Sequence, residues 1–134
     1  MSTILLVDDD PFQAYAHKVA LERESYNIER AADASEAFIR LDEPGFSQSL
    51  VLIVAGLRLP GMAGPAFVSE LTARIPGVPV LVIGRSGETA SEYKGGNLRF
   101  LPSDTSADEL LEGVKSFISQ PRPADGLKLV PSKA

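Results

Sequence analysis

No cysteine occurs in the 134 residues, so disulfide bridges and thiol catalysis are excluded. His17 is the single histidine, which is too few for a histidine-rich zinc site. Positive charge is short as well: 13 Lys and Arg stand against 18 Asp and Glu, a net charge of -5, and the sequence pI is near 4.8. A phosphate backbone needs a basic field to hold it, and this chain has none, so a nucleic-acid-binding role is not expected. The longest apolar run, Leu50 to Leu57, is far shorter than the about 20 residues of a membrane span. The N-terminal "STILLVDDD" enters a strand pattern at once, without the basic stretch and apolar core of a secretory signal. What these absences leave is a cytoplasmic protein with one core and a protein or small-ligand partner.

Four short runs rich in aliphatic and β-branched residues are present: Ile4 to Val7, Leu50 to Ala55, Val78 to Ile83 and Leu98 to Leu101. They are nearly continuous in apolar character, as strands covered on both faces are. "YNIERA", Tyr26 to Ala31, is a weaker fifth candidate with the look of an edge strand. Helical patterns fill the gaps. Asp10 before Pro11 predicts an N-cap and a helix start, with Phe12, Ala16 and Val19 at helical spacing. Asp33 and Glu36 have capping-box spacing ahead of Ala37, Phe38 and Leu41; Pro65 opens a helix with Phe67, Leu71 and Ile75 on one face; Ser106 and Glu109 form a second capping box before Leu110, Val114, Phe117 and Ile118. The aromatics Phe12, Phe38, Phe67 and Phe117 fall on these expected core stripes, and His17 is expected on the surface of the first helix. Past Gln120 the residues "PRPADGLKLVPSKA" have three prolines and no periodicity, which predicts a flexible tail or linker over 121–134 after a domain over 1–120. There is no internal repeat.

Strands alternating with helices predict a parallel sheet with right-handed crossovers, and five such units match a flavodoxin-like (βα)5 three-layer sandwich of strand order 2-1-3-4-5. In such a fold the crevice lies at the carboxyl ends of strands 1 and 3, where "DDD" and "AGLRLPG" fall.

With those pieces in order, the sequence resembles the receiver (CheY-like) domains of bacterial response regulators over residues 3 to about 119. "ILLVDDDP" resembles the first strand with its acidic pair, "LVLIVAGLRLPGMAG" the third strand and following loop, "VPVLVIG" the fourth strand, and "RFLPSDTSADELLEGV" the fifth strand, proline turn and last helix. The resemblance implies phosphoryl transfer from a kinase histidine to an aspartate at the end of strand 3, assisted by a divalent metal, a hydroxyl and a lysine. Carried over residue by residue, the aspartate position holds Gly56, the hydroxyl position Gly84 and the lysine position Leu101; only the acidic pair Asp8 and Asp9 is retained. The aromatic beside strand 5 aligns with Leu98. From Gly84 to Leu101 the chain has too few positions for a full fourth helix, which is expected to be shortened or lost.

The expected reading is a degenerate receiver, a pseudo-receiver: a non-catalytic, phosphorylation-independent interaction module of two-component or phosphorelay signalling, held in one dominant conformation. Its partner would be a histidine kinase, a response regulator or another signalling protein, with helices 1 and 5 as the first candidates for the surface. No cofactor is expected; Asp8 and Asp9 would be the ligands if magnesium binds. Two carboxylates about 4 Å apart repel by on the order of 4 kcal/mol at an effective dielectric of 20, so a cation is expected nearby. Arg58 and Arg85, just beyond the vacated positions, are the candidates, the alternative being that both stay in solvent. A different reading makes the emptied crevice a small-ligand or second-messenger sensor using Arg58, Arg85 and Asp8 or Asp9.

Overall fold

The computed structural model describes residues 2–56, 58–59, 62–84, 97–102 and 104–119, with the backbone alone at 58–59 and 119. In chain order the elements are β1 (Thr3–Val7), α1 (Pro11–Glu22), β2 (Asn27–Ala31), α2 (Ala34–Leu41), α3 (Phe46–Ser49), β3 (Leu50–Gly56), β4 (Arg58–Leu59), β5 (Met62–Ala63), α4 (Gly64–Arg74), β6 (Val80–Ile83), β7 (Leu98–Leu101) and α5 (Ala107–Ser119).

The strands that read as continuous apolar runs form one parallel sheet of order β2-β1-β3-β6-β7, with β2 at its edge. This is the expected 2-1-3-4-5 arrangement of a flavodoxin-like α/β fold. Alternation along each strand explains the absence of polar positions. Leu5, Val7, Ile53, Ala55, Val80 and Val82 point to one face, where they pack with Ala34, Ala37 and Leu41 of α2 and Phe67, Val68 and Leu71 of α4. Ile4, Leu6, Leu52, Val54, Leu81 and Ile83 point to the other, against Ala14 and Leu21 of α1 and Leu110, Leu111, Val114 and Phe117 of α5. Both faces are dry, so both must be apolar.

The helix starts follow the caps. Asp10 Oδ1 accepts from the backbone N–H of Phe12 and Gln13 at 3.0 and 3.3 Å. At α5 the capping box is reciprocal: Glu109 N–H donates to Ser106 Oγ at 3.1 Å, and Ser106 N–H to Glu109 Oε1 at 3.0 Å. At α2, Glu36 N–H donates to Asp33 Oδ1, but the Glu36 carboxylate accepts from Ala32, one residue ahead of the cap.

Three features depart from the sequence expectations or add to them. The stripe Phe12, Ala16 and Val19 is not the buried face of α1: Phe12 is 86 % exposed, and Ala14, His17, Ala20 and Leu21 face inward instead. Both stripes have helical spacing, so periodicity could not choose between them. The small Ala14 and Ala20 allow α1 to lie close to the sheet, which a phenylalanine would hold off. His17, expected on the surface, is buried at 6 % exposure for the same reason. A four-residue helix, α3, and the two-residue antiparallel pair β4-β5 also appear. Gly45 opens α3 at φ 81°, a left-handed conformation that favours glycine. Phe67 and Phe117 are buried as expected. Phe38 is half-buried between the Phe67 ring, 5.4 Å away between centroids, and the Arg74 guanidinium, 4.5 Å over its face. The expectations of a fourth helix shortened or lost and of a flexible tail or linker over 121–134 fall on residues outside the described ones.

The two environments predict unequal costs of truncation. Phe67→Ala should destabilise the domain by about 3–5 kcal/mol in denaturant unfolding. Ile39→Ala, at a position 64 % exposed, should cost about 0.5 kcal/mol or less.

Candidate functional site

The carboxyl edge of the sheet is assembled by strand register. Val7 is opposite Ala55, so Asp8, the next residue, comes level with Gly56 at the end of β3. Gly56 is in turn opposite Ile83, and Ile83 opposite Leu101. One step further, Gly84 N–H donates to the Leu101 carbonyl at 2.9 Å. The fold therefore brings Asp8, Gly56, Gly84 and Leu101 to one edge, and Asp9 stands exposed beside them.

Asp8 is held at both ends of its residue. Its backbone N–H continues the ladder to the Ala31 carbonyl at 3.0 Å. Its carbonyl accepts from Arg30 Nε at 3.1 Å and Nη2 at 2.8 Å. The side chain is buried, with the residue 8 % exposed, and Oδ1 accepts from Asp10 N–H at 2.9 Å. Burial raises the carboxyl pKa above its usual value; the bond from Asp10 N–H and the field of His17 oppose this, while the charges of Asp10 and Asp9 add to it.

His17 lies on the inner face of α1. Burial lowers its pKa, and the negative field of Asp8 offsets part of this. Its Nδ1 is buried without a hydrogen-bond partner. Desolvation thus outweighs mutual attraction at both groups, and each is pushed towards its neutral form.

The cation that meets this corner is Arg30, which the sequence reading did not single out. It sits on β2 with its Cα opposite Leu6, so the long side chain reaches forward along the strand to Asp8. It binds the main-chain carbonyl of Asp8 rather than pairing with the carboxylate. Its place beside Asp8 depends on the register of β2 against β1, which no local pattern reveals. The expected compensating cations are not tested: the side chain of Arg58, whose backbone pairs with Ala63 in β4-β5, and all of Arg85 lie outside the described residues.

Leu101 has a different role from a crevice residue. It packs with the apolar cluster beneath α5, and a Cβ built on Gly113 of that helix would come 3.2 Å from Leu101 Cδ1. The isobutyl group occupies space that a side chain at Gly113 would take. Leu98, at the other end of β7, packs half-buried against the opposite cluster.

Mg2+ takes six oxygens in octahedral geometry, keeping several waters and one or two carboxylates. Here one Asp8 oxygen is already bonded to a backbone N–H, Asp9 is exposed, and β3 offers no side-chain ligand at Gly56. Among the described residues, no group of three or more His, Cys, Asp or Glu is arranged to hold a metal ion. Asp8 and Asp9 are the carboxylates that the described part of this edge offers to an ion, and burial pushes Asp8 towards its neutral, poorly ligating form. No helix among the described residues is long and apolar enough to cross a membrane.

A buried carboxyl that folding drives towards neutrality predicts a pH signature. The folded chain holds the Asp8 proton more tightly than the unfolded chain, so its contribution favours the fold below the ordinary value of 3.8 and is lost as pH rises through the raised value. His17 has the opposite sign: its contribution is intact above 6.5 and is lost as pH falls through the lowered value. Asp8→Asn keeps an oxygen for Asp10 N–H. It should raise the melting temperature by a few degrees at about pH 7.5, and that gain should vanish towards pH 4. His17→Leu should flatten the fall in stability below about pH 6.5.

Comparison with known proteins places this architecture. The model of the response regulator receiver domain matches residues 4–115. Curated relatives include the transcriptional regulatory protein GlrR of Escherichia coli (strain K12), 26% identical over 124 residues, covering 90% of this chain and 27% of the relative. ZraR of Salmonella typhimurium is 30% identical over 122 residues, with 89% of this chain and 27% of the relative covered. The CpxR homolog of Haemophilus influenzae is 28% identical, with 88% and 51% covered. The chain thus spans about a quarter to a half of the length of these relatives. Among solved structures, the chemotaxis response regulator CheY4 of Vibrio cholerae superposes with a TM-score of 0.75 at 23% identity, covering 87% of this chain and 98% of that one. The CheY-like receiver domain protein of Methanospirillum hungatei gives 0.73 at 23% identity, covering 88% and 94%.

Proposed function

The chain belongs to the response regulator receiver domain family, and we propose that within it this chain is a pseudo-receiver: a non-catalytic, phosphorylation-independent protein-interaction module of bacterial two-component or phosphorelay signalling. The observation that carries the reading is that β3 ends in Gly56, level with Asp8. Aspartyl phosphorylation in the family's manner needs a carboxylate nucleophile at the end of that strand, and a glycine supplies none. Asp8 does not replace it, since the side chain is buried and committed to the Asp10 N–H.

The other positions support the same reading. Gly84 offers no hydroxyl to a phosphoryl oxygen. Leu101 offers no ammonium, and its half-buried side chain packs against the cluster beneath α5. The remaining residues of the edge orient one another: Arg30 holds the Asp8 carbonyl, Asp8 fixes the turn into α1, and Asp10 caps that helix. Receiver domains generally bind Mg2+ at this edge and interact with kinases or other signalling proteins. For this chain we propose the partner without the metal, with Arg58 and Arg85 as further cations over the crevice. The receiver-like unit would occupy residues 1–120 and residues 121–134 would form a tail or linker, in the cytoplasm. Partner binding and the former reactive edge would then be uncoupled, because a ligand shifts an equilibrium only by its differential affinity for two states.

A thermal melt tests the metal part of this proposal. The melting temperature should be unchanged between chelator and millimolar magnesium. A magnesium-dependent rise of several degrees would mean that Asp8 and Asp9 hold the ion after all, because a ligand of the folded state stabilises it by mass action.

A further inference from the structure

The outer face of α1 carries a second apolar stripe that the fold leaves uncovered. Phe12 is 86 %, Tyr15 70 % and Val19 39 % exposed, and the exposed Ala16 lies among them. The spacing i, i+3, i+4, i+7 puts all four on one side of the helix, away from the inward Ala14, His17, Ala20 and Leu21. Single exposed apolar side chains are ordinary on a surface, whereas a contiguous row with two aromatics marks a binding face.

The order of sizes in that row is self-complementary. A two-fold axis through the midpoint between Tyr15 and Ala16 sets Phe12 against Val19 of a second copy and Tyr15 against Ala16, so each large side chain meets a smaller one, and each contact occurs twice. The same rotation makes the two helices antiparallel, which opposes their dipoles. It also brings the exposed acidic end at Asp9 and Asp10 to the far end of the partner helix, where Arg23 stands. Arg23 is free to respond: its ion pair with Asp108 of α5 is between side chains 57 % and 85 % exposed, a contact of little energy. Glu22 is the like charge that works against the pairing. The two aromatics offer on the order of 300 Å² per copy. With Ala16, Val19 and the flanking residues, the contact reaches roughly 1,000 Å² over both copies, the lower bound for a specific interface.

We infer that α1 is a self-association surface on which two copies of this chain pair antiparallel through Phe12, Tyr15, Ala16 and Val19. This does not rest on the pseudo-receiver proposal, since it uses no residue of the carboxyl edge except the flanking acidic pair. The contact is weak and depends on concentration. Light scattering on the full chain, from about 10 μM to about 1 mM at moderate salt, should show the mass rising from the 14.3 kDa of one copy towards twice that value. Ala16→Arg, an exposed substitution by a good helix former, should weaken the pairing at least about 100-fold, as should Phe12→Ser. Ile39→Ser, at an exposed apolar position on α2, should leave it unchanged. A single-copy mass over the whole range would overturn the inference, including the case in which the stripe serves a different protein. A dimer that survives both Ala16→Arg and Phe12→Ser, with unchanged circular dichroism, would overturn it equally.

Discussion

The parallel register of β1 with β3 and of β3 with β6 is the constraint on which the rest depends. With Val7 opposite Ala55, Gly56 opposite Ile83 and Ile83 opposite Leu101, four chain segments distant in sequence must end at one edge. A slip of one residue would turn every side chain of a strand to the other face. Both faces are already filled, by α2 and α4 on one side and α1 and α5 on the other. The packing therefore defines the edge whatever residues stand there, and the scaffold can persist when the chemistry at the edge changes.

That separation explains the mixed character of the edge. Asp8 remains where a charged group is costly, buried and with its proton affinity raised. Its retention follows from structure as much as chemistry: its carboxylate closes the turn into α1 and its carbonyl anchors Arg30 from the edge strand. Gly56 and Gly84 contribute backbone alone. Leu101, half-buried, packs against the cluster beneath α5, with Gly113 across from it providing the room.

Much of this was legible in the sequence because two-sided burial writes continuous apolar runs and because capping residues announce helix starts. The sheet order, the caps at Asp10 and Ser106, and the placing of "DDD" and "AGLRLPG" at one end of the sheet followed from such signals, whereas the positions Gly56, Gly84 and Leu101 were read from the resemblance to receiver domains. What escaped notice depended on choices between equivalent patterns or on contacts distant in sequence. The helix α1 has two apolar stripes, and only the closeness of its packing on the sheet shows that the alanine-rich one with His17 is inside. Arg30 reaches Asp8 through the pairing of β2 with β1, a register that local composition does not encode. The short α3 and the β4-β5 pair contain too few residues to develop a period.

The account's central claim is that the edge retains its geometry without a phosphoryl acceptor. The most direct test is the intact mass of the full chain after incubation with a small-molecule phosphodonor and magnesium. The account predicts an unchanged mass. An added phosphoryl group that survives mild acid and is lost to hydroxylamine, as an acyl phosphate is, would contradict it.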